Sequence, residues 1–284
     1  MRRFLVFGLI FALLGSAAPP RLVALMPAMG DDLFAMGAGP QVVGVSRFTE
    51  DNPAAKNLPL VADFQSVDVE KIVALHPDVV VGDPSQAALV APLRRAGIRV
   101  VLLADDSYED IFTNLRILGD LSGRRSQANA LILRLQRETE QLRARARRFA
   151  YRPRVFFALG TGPIWTAGHG SYLATLLGFA GARNAAADLP VPWGEYSEEA
   201  LLRAQPDAIV ADYETPLRDV LTREPWRSLR AVREGHVFLV ENRRIDDALF
   251  RPGPNYNEGL RWLIERLSPL STSKIPGARS NPNS

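Results

Sequence analysis

Apolar residues recur with helical spacing along residues 126–149 (SQANALILRLQRETEQLRARARRF), where Leu131, Leu135, Leu142 and Phe149 stand four and seven positions apart and Ala128 and Ala146 extend the same face. That is the period of an amphipathic helix. No proline or glycine interrupts the run and the other face is Arg, Glu and Gln. About 24 residues at 1.5 Å each give a rod of roughly 36 Å, enough to span a small domain. The segments before and after it each alternate strand-like and helix-like patterns, so the helix is expected to be a rigid strut joining two α/β lobes, 19–125 and 150–267.

In the first lobe the pattern predicts strands at 22–26, 42–45, 79–81 and 99–102. Helices are expected at 32–36, stopped by Gly37 and Gly39, at 69–75, ended by Pro77, at 86–96, capped by Gly97, and at 108–118. Continuously apolar strands separated by helices imply a parallel sheet covered on both faces. Ligands of such sheets meet the carboxyl ends of the strands, which here carry Pro27, Ser46 to Phe48 and Asp83. The second lobe predicts strands at 154–158, 208–211 and 237–240, and helices at 171–178, 197–204 and 256–267, the last with Leu260, Leu263, Ile264 and Leu267 on one face.

Two stretches match without a gap. FQSVDVEKIVALHPDVVV begins at Phe64 and WGEYSEEALLRAQPDAIV at Trp193. In each, an aromatic is followed six positions later by a glutamate (Glu70, Glu199) and seven positions after that by Pro-Asp (Pro77 with Asp78, Pro206 with Asp207), then an apolar strand. Their placement on either side of the strut makes a duplicated lobe the better explanation. The aromatic falls in the loop before a helix, where it can face the gap between lobes. The glutamate falls in the first turn, where the helix dipole favours a carboxylate. Core packing and simple helix stabilisation are the plainer roles for these residues.

The remaining features narrow the class. Residues 1–18 have two arginines, an apolar run from Phe4 to Leu14 and then small residues, the three regions of a secretory signal peptide cleaved near Ala18. There is no cysteine, so neither disulfides nor a lipid-bearing cysteine is expected, and the mature chain should be free in a periplasm. With 47% hydrophobic and 23% charged residues the chain can build a core without a membrane span. Loss of Arg2 and Arg3 with the signal brings the net charge from +3 to about +1, which implies no nucleic acid partner. Residues 268–284, rich in Ser, Pro and Asn, read as a disordered tail.

RLVALMP, LFAMGAGPQVVGVSRF, LPLVADFQSVDVEKIVALHPDVVVG and PWRSLRAVREGHVFLVE, in that order, resemble the periplasmic substrate-binding proteins of cobalamin and iron-chelate ABC importers. The resemblance implies two α/β lobes joined by one long helix, a ligand held between them and little closure. It implies that Glu70 and Glu199 dock into arginine pockets of a permease dimer that works with a cytoplasmic ATPase, and that the carrier is a monomer without a cofactor or an enzymatic activity. Ligand contacts carried over by position are Phe48, Phe64, Trp165, Trp193, Asp247 and Arg251. Flat apolar side chains there suit a large macrocycle, so a corrinoid is favoured.

Alternatives stay open at this level. Arg47, Arg243, Arg244 and Arg251 could instead grip an anionic ferric siderophore, or could simply be solvated. Haem would need an axial ligand, for which His169 is the histidine nearest the expected cleft; His76 and His236 do not converge with it, and no bare metal site is expected. An enzyme acting on the chelate, or a sensor that shares the two-lobe form, is the rival class. Gly160 and Gly162 follow a strand as a dinucleotide loop would, but Trp165 replaces the third glycine, and there is no serine elbow and no cysteine nucleophile.

Overall fold

A computed structural model of the protein describes residues 18–49, 52–63 and 65–272. Almost all of the expected signal peptide, Phe64 and residues 273–284 of the expected tail lie outside these residues. The first lobe contains strands β1 (Leu22–Ala24), β2 (Val42–Ser46), β3 (Leu60–Ala62), β4 (Val79–Gly82) and β5 (Arg99–Leu102) and helices α1 (Pro27–Ala35), α2 (Val69–Ala74), α3 (Ala91–Arg95) and α4 (Tyr108–Leu121). The strands pair in parallel in the order β3-β2-β1-β4-β5. Buried Val, Leu and Ala fill β1 and β4, as a sheet covered on both faces requires.

Helix α5 (Arg125–Ala146) is the strut, 22 residues and so about 33 Å long. It buries Ala128, Leu131, Ile132, Leu135, Thr139, Leu142 and Ala146, the face expected from the spacing. It ends three residues before Phe149, whose amide bonds to Ala146 O in the following turn. Gly181 has φ +73, and a Cβ there would lie 3.0 Å from the Phe149 ring. The ring packs against this bare backbone instead of continuing the helical face.

After the strut come β6 (Arg154–Ala158), β7 (Trp165–Ala167), β8 (Arg183–Asn184), β9 (Trp193–Glu195), β10 (Ala208–Ala211) and β11 (Val237–Leu239), with helices α6 (Tyr172–Phe179), α7 (Glu198–Ala204), α8 (Arg230–Arg233), α9 (Arg243–Phe250) and α10 (Tyr256–Thr272). A parallel sheet runs β11-β10-β6-β8, and β7 and β9 form a separate antiparallel pair. Helix α10 continues five residues past the expected 267, so residues 268–272 are helix and not tail. Tertiary contact explains the extension: the Tyr151 amide bonds to Ser271 O, and Ser271 is buried with its hydroxyl on Leu267 O.

The repeat seen in the sequence reaches into the hydrogen bonding. Asp68 and Ser197, at matching positions, cap the N-termini of α2 and α7 by accepting from the Lys71 and Ala200 amides. His76 and Gln205, again matching, leave the helices in the left-handed region with φ of 47° and 40°. Asp78 then accepts from the Arg21 amide and Asp207 from the Arg154 amide, both at 2.7 Å, so each Pro-Asp ties its strand to the start of β1 or β6. The register agrees as well, with Leu22 opposite Val79 and Val155 opposite Ala208. The halves differ at β9, which leaves the sheet to pair with β7 where the first lobe keeps β3 in its sheet.

One apolar cluster runs through both lobes and includes Leu22, Leu115, Leu135, Phe157, Tyr172 and Leu263. At its centre Thr139 of α5 hydrogen-bonds Tyr256 OH and Asn257 Oδ1 of α10, Asn257 Nδ2 donates to Leu135 O, and the hydroxyl of Tyr108 from α4 meets that of Tyr256. A dry, satisfied polar knot fixes one arrangement of the helices around it. The strut is therefore clamped along its length, and a wide hinge motion would have to break this knot.

Candidate ligand cleft and lobe tips

The carboxyl ends of β1 and β2 in the first lobe, and of β11 in the second, converge on one cleft of about 530 Å3. Asp31 on α1, Phe48 in the turn after β2, and Thr49 and Asn52 line one wall; Arg243, Arg244, Asp247 and Arg251 from α9 and its end, with Asn255 and Glu258, line the other. A larger hollow of about 650 Å3 holds Asp78, Arg99 and Asp120 at the opposite, amino edge of the first sheet and draws on that lobe alone. Of these two, the smaller is the one built by both lobes among the described residues.

Helix α9 was not expected from the sequence, and it arranges the second wall. Asn242 caps it by accepting from the Ile245 amide, which sets Asp247 and Arg251 one turn apart, 3.0 Å from each other and each about one fifth exposed. Arg251 Nη1 also donates to Phe48 O at 3.1 Å, so one guanidinium bridges the lobes. Arg244 makes a bidentate pair with Glu258 at 2.8 Å, and Arg243 meets Glu214 at 3.2 Å. The arginines of this wall are thus matched to carboxylates. Across the cleft Asp31 accepts from Asn52 Nδ2 at 2.7 Å.

Beneath this wall lies an acidic floor. Asp32 is 2% exposed and its Oδ1 has no hydrogen-bond partner among the described residues. Burial, then the charges of Asp31 and Asp105, push its pKa well up, which favours the protonated form. Asp31 is raised by burial, partly offset by Asn52 and by Arg251. Asp105 is pushed up to about 7 by burial and then by Asp83, Asp106 and Asp110. A carboxyl whose folded pKa exceeds its unfolded one adds stability at low pH and loses it as pH rises through the folded value. Asp105→Asn should therefore stabilise the protein, with a gain that grows by about 2 kcal/mol between pH 5 and pH 8. Calorimetric melts of both proteins at the two pH values check this, and a gain independent of pH would contradict it.

Of the residues expected to touch ligand, the structure brings Phe48, Asp247 and Arg251 together in the cleft. Trp165 and Trp193 lie on β7 and β9 instead, diagonal to each other, and neither lines that cavity. Trp165 is exposed at the carboxyl edge of β6, whereas Trp193 is half-buried against the shared core. Phe64 is outside the described residues. His169 is exposed in the turn before α6. Arg47 is exposed in the turn after β2 and does not line the cleft, unlike Arg243, Arg244 and Arg251. Asp31, Asn52, Asn255 and Glu258 were missed because they become neighbours only when the lobes meet. The pair Asp31-Asp32, just beyond an apolar strand, was the one available signal.

Glu70 and Glu199 occupy the first turns of α2 and α7 and are exposed. The Glu199 carboxyl is held below its ordinary pKa by its own backbone amide and the Ser197 hydroxyl, so it stays charged. Among the described residues no group of three or more His, Cys, Asp or Glu could hold a metal ion, and no helix is long and apolar enough to cross a membrane.

A family model described as periplasmic binding protein matches residues 22–243. The vitamin B12-binding protein of Pectobacterium carotovorum subsp. carotovorum (strain PC1) is 33% identical, covering 98% of this chain and 98% of that protein. A Bacillus subtilis (strain 168) protein named as an uncharacterized ABC transporter substrate-binding lipoprotein, YvrC, is 29% identical over 88% of this chain and 81% of its own length. Among solved structures, the periplasmic heme-binding protein RhuT from Roseiflexus sp. RS-1 in apo form superposes with a TM-score of 0.78 at 26% identity, covering 89% of this chain and 99% of that one. The periplasmic vitamin B12-binding protein BtuF of Vibrio cholerae does so with a TM-score of 0.76 at 24% identity, covering 90% and 99%, a likeness of fold.

Proposed function

Since this chain belongs to the periplasmic binding protein family, we propose that it is the extracytoplasmic carrier of an ABC importer, capturing a metal chelate, with a corrinoid favoured, in the cleft between its lobes. The charge balance of the cleft carries the choice of ligand. Its described lining holds three guanidinium groups and three carboxyl groups, and each guanidinium already has a carboxylate partner. An anionic guest would have to displace those carboxylates, at a real cost for the largely buried Arg251–Asp247 pair and a small one for the exposed Arg243 and Arg244 pairs. A large, uncharged chelate rimmed with amides has no such cost. It would find hydrogen-bonding partners in Asn52 and Asn255 and an apolar surface in Phe48. Relatives named as vitamin B12-binding proteins support the same choice.

Glu70 and Glu199 are assigned to docking on the two subunits of a membrane permease with its ATPase. Two matched acidic tips on a duplicated carrier suit a twofold receptor. The chain acts as a monomeric binder that releases its cargo unchanged, delivered to the periplasm by a cleaved signal at residues 1–18. We assign residues 19–125 and 150–267 to the lobes. Trp165 and Trp193 are assigned to the outer part of the ligand surface, beyond the cavity, and Phe64 is kept as a ligand contact.

A second reading, an anionic ferric siderophore or haem, draws on the same three arginines, Arg243, Arg244 and Arg251. Calorimetric titration of the purified protein with cyanocobalamin, hemin and ferric enterobactin decides between them. Cyanocobalamin is expected to bind at least about tenfold more tightly than either anionic chelate, a difference of about 1.4 kcal/mol. Tighter binding of an anionic chelate would favour the second reading. Conversion of any of them to a product would indicate an enzyme.

A further inference from the structure

Two of the exposed large apolar side chains, Trp165 at 47% and Tyr213 at 48%, lie at the carboxyl edge of the second sheet, Trp165 opening β7 after the β6 loop and Tyr213 in the loop after β10. Large rings left bare on a folded surface mark places where something else covers them. The loops are joined to each other by the Gly160 amide donating to Thr215 Oγ1 at 2.7 Å. Tyr213 lies two residues past β10 and is held unusually firmly for an exposed loop residue. Its amide donates to Asp246 Oδ1 at 2.8 Å, and Asp212 Oδ1 accepts from the Thr215 amide at 2.9 Å to close the turn. The Arg243 guanidinium stands 5.2 Å from the centre of the Tyr213 ring and is itself oriented by Glu214.

Arg243 lines the cleft and Tyr213 does not, so the ring that Arg243 stacks on lies beside the cavity, next to its wall. We infer that Tyr213, backed by Arg243, is a specificity-determining wall of the ligand site that stacks against the conjugated face or edge of the chelate. This inference rests on the chelate-binding reading. The physical reason is preorganisation: a ring fixed from behind by a cation and at its backbone by a carboxylate loses little freedom when a flat guest covers it. Neither a flexible aliphatic residue nor a loose aromatic would offer that.

The test uses Tyr213→Ala, Tyr213→Leu and Tyr213→Phe beside Phe48→Ala, each titrated with cyanocobalamin, hemin and ferric enterobactin. With whichever chelate the unmodified protein binds, loss of the ring face should weaken affinity about tenfold in both Y213A and Y213L, while Y213F stays within about twofold. Melting temperatures should be unaltered, since the side chain is exposed. Wild-type affinity in Y213L, or a loss in Y213F as large as in Y213A, would overturn the stacking role. If F48A weakens binding while the Tyr213 variants do not, the cleft reading stands and this inference alone falls. If the unmodified protein binds none of the three chelates, the chelate reading itself fails and the inference falls with it.

Discussion

Cells carrying the double variant Glu70→Lys, Glu199→Lys are expected to lose corrinoid uptake by about a hundredfold, while the purified variant keeps its ligand affinity within about twofold. Both carboxylates are exposed in the first turns of short, capped helices, away from the cleft wall. An exposed ion pair contributes about 0.2–1 kcal/mol, so simple removal of either charge should have a small effect. Reversal differs, because it sets like charges against each other at a docked surface and costs several times more. The helices themselves lose only a favourable interaction with their dipoles, screened at these exposed positions, so the fold should persist. Uptake of labelled ligand in cells, set beside calorimetric titration, separates docking from binding. Retained uptake in the double variant would remove the docking role; lost affinity would show that the tips and the cleft are not independent.

Gly259→Val should be strongly damaging to the fold, costing about 4 kcal/mol with a lowered melting temperature and weakened ligand binding. Gly259 lies on α10 where it crosses α9. A Cβ there would stand 2.6 Å from Ala248 O and 2.7 Å from Leu249 Cα. Both are backbone atoms in a helix, so no side-chain rotation relieves the clash and the two helices must separate. Helix α9 carries Arg243, Asp247 and Arg251, and separation would move that wall of the cleft away from Phe48. Gly259→Ala, with the same Cβ and no further bulk, should show a weaker form of both effects in thermal melts and titration. Wild-type stability of G259V would mean that the helices are not as closely locked as their backbones indicate.

The alternating strands and helices, the strut and the paired lobes were legible because each rests on local periodicity. Leu131, Leu135 and Leu142 can be buried together only on a helix, and the apolar runs at β1 and β4 suit only a covered sheet. The match between Phe64 and Trp193 extended further than the residues that revealed it. Asp68 with Ser197, and His76 with Gln205, are unlike in type yet perform the same capping and chain-reversing tasks, which identity matching does not detect. Helix α9 was missed because it is only eight residues long and half of them are charged, so the helical spacing of Ile245, Ala248 and Leu249 spans too little sequence to stand out. Its stability comes from the Asn242 cap and from packing on α10.

The sequence by itself determined the number of lobes, the connector and the positions of the acidic tips, since helical and strand periods are properties of neighbouring residues. Tertiary structure alone decided which side chains share the cleft. Asp31, Asn52, Arg251 and Glu258 are remote in the chain, and they share one cleft only because the two lobes meet across a buried core. The guanidinium–carboxylate pairs form within the second lobe, whereas the 3.1 Å bond from Arg251 to Phe48 O, which closes the cleft, joins the two lobes.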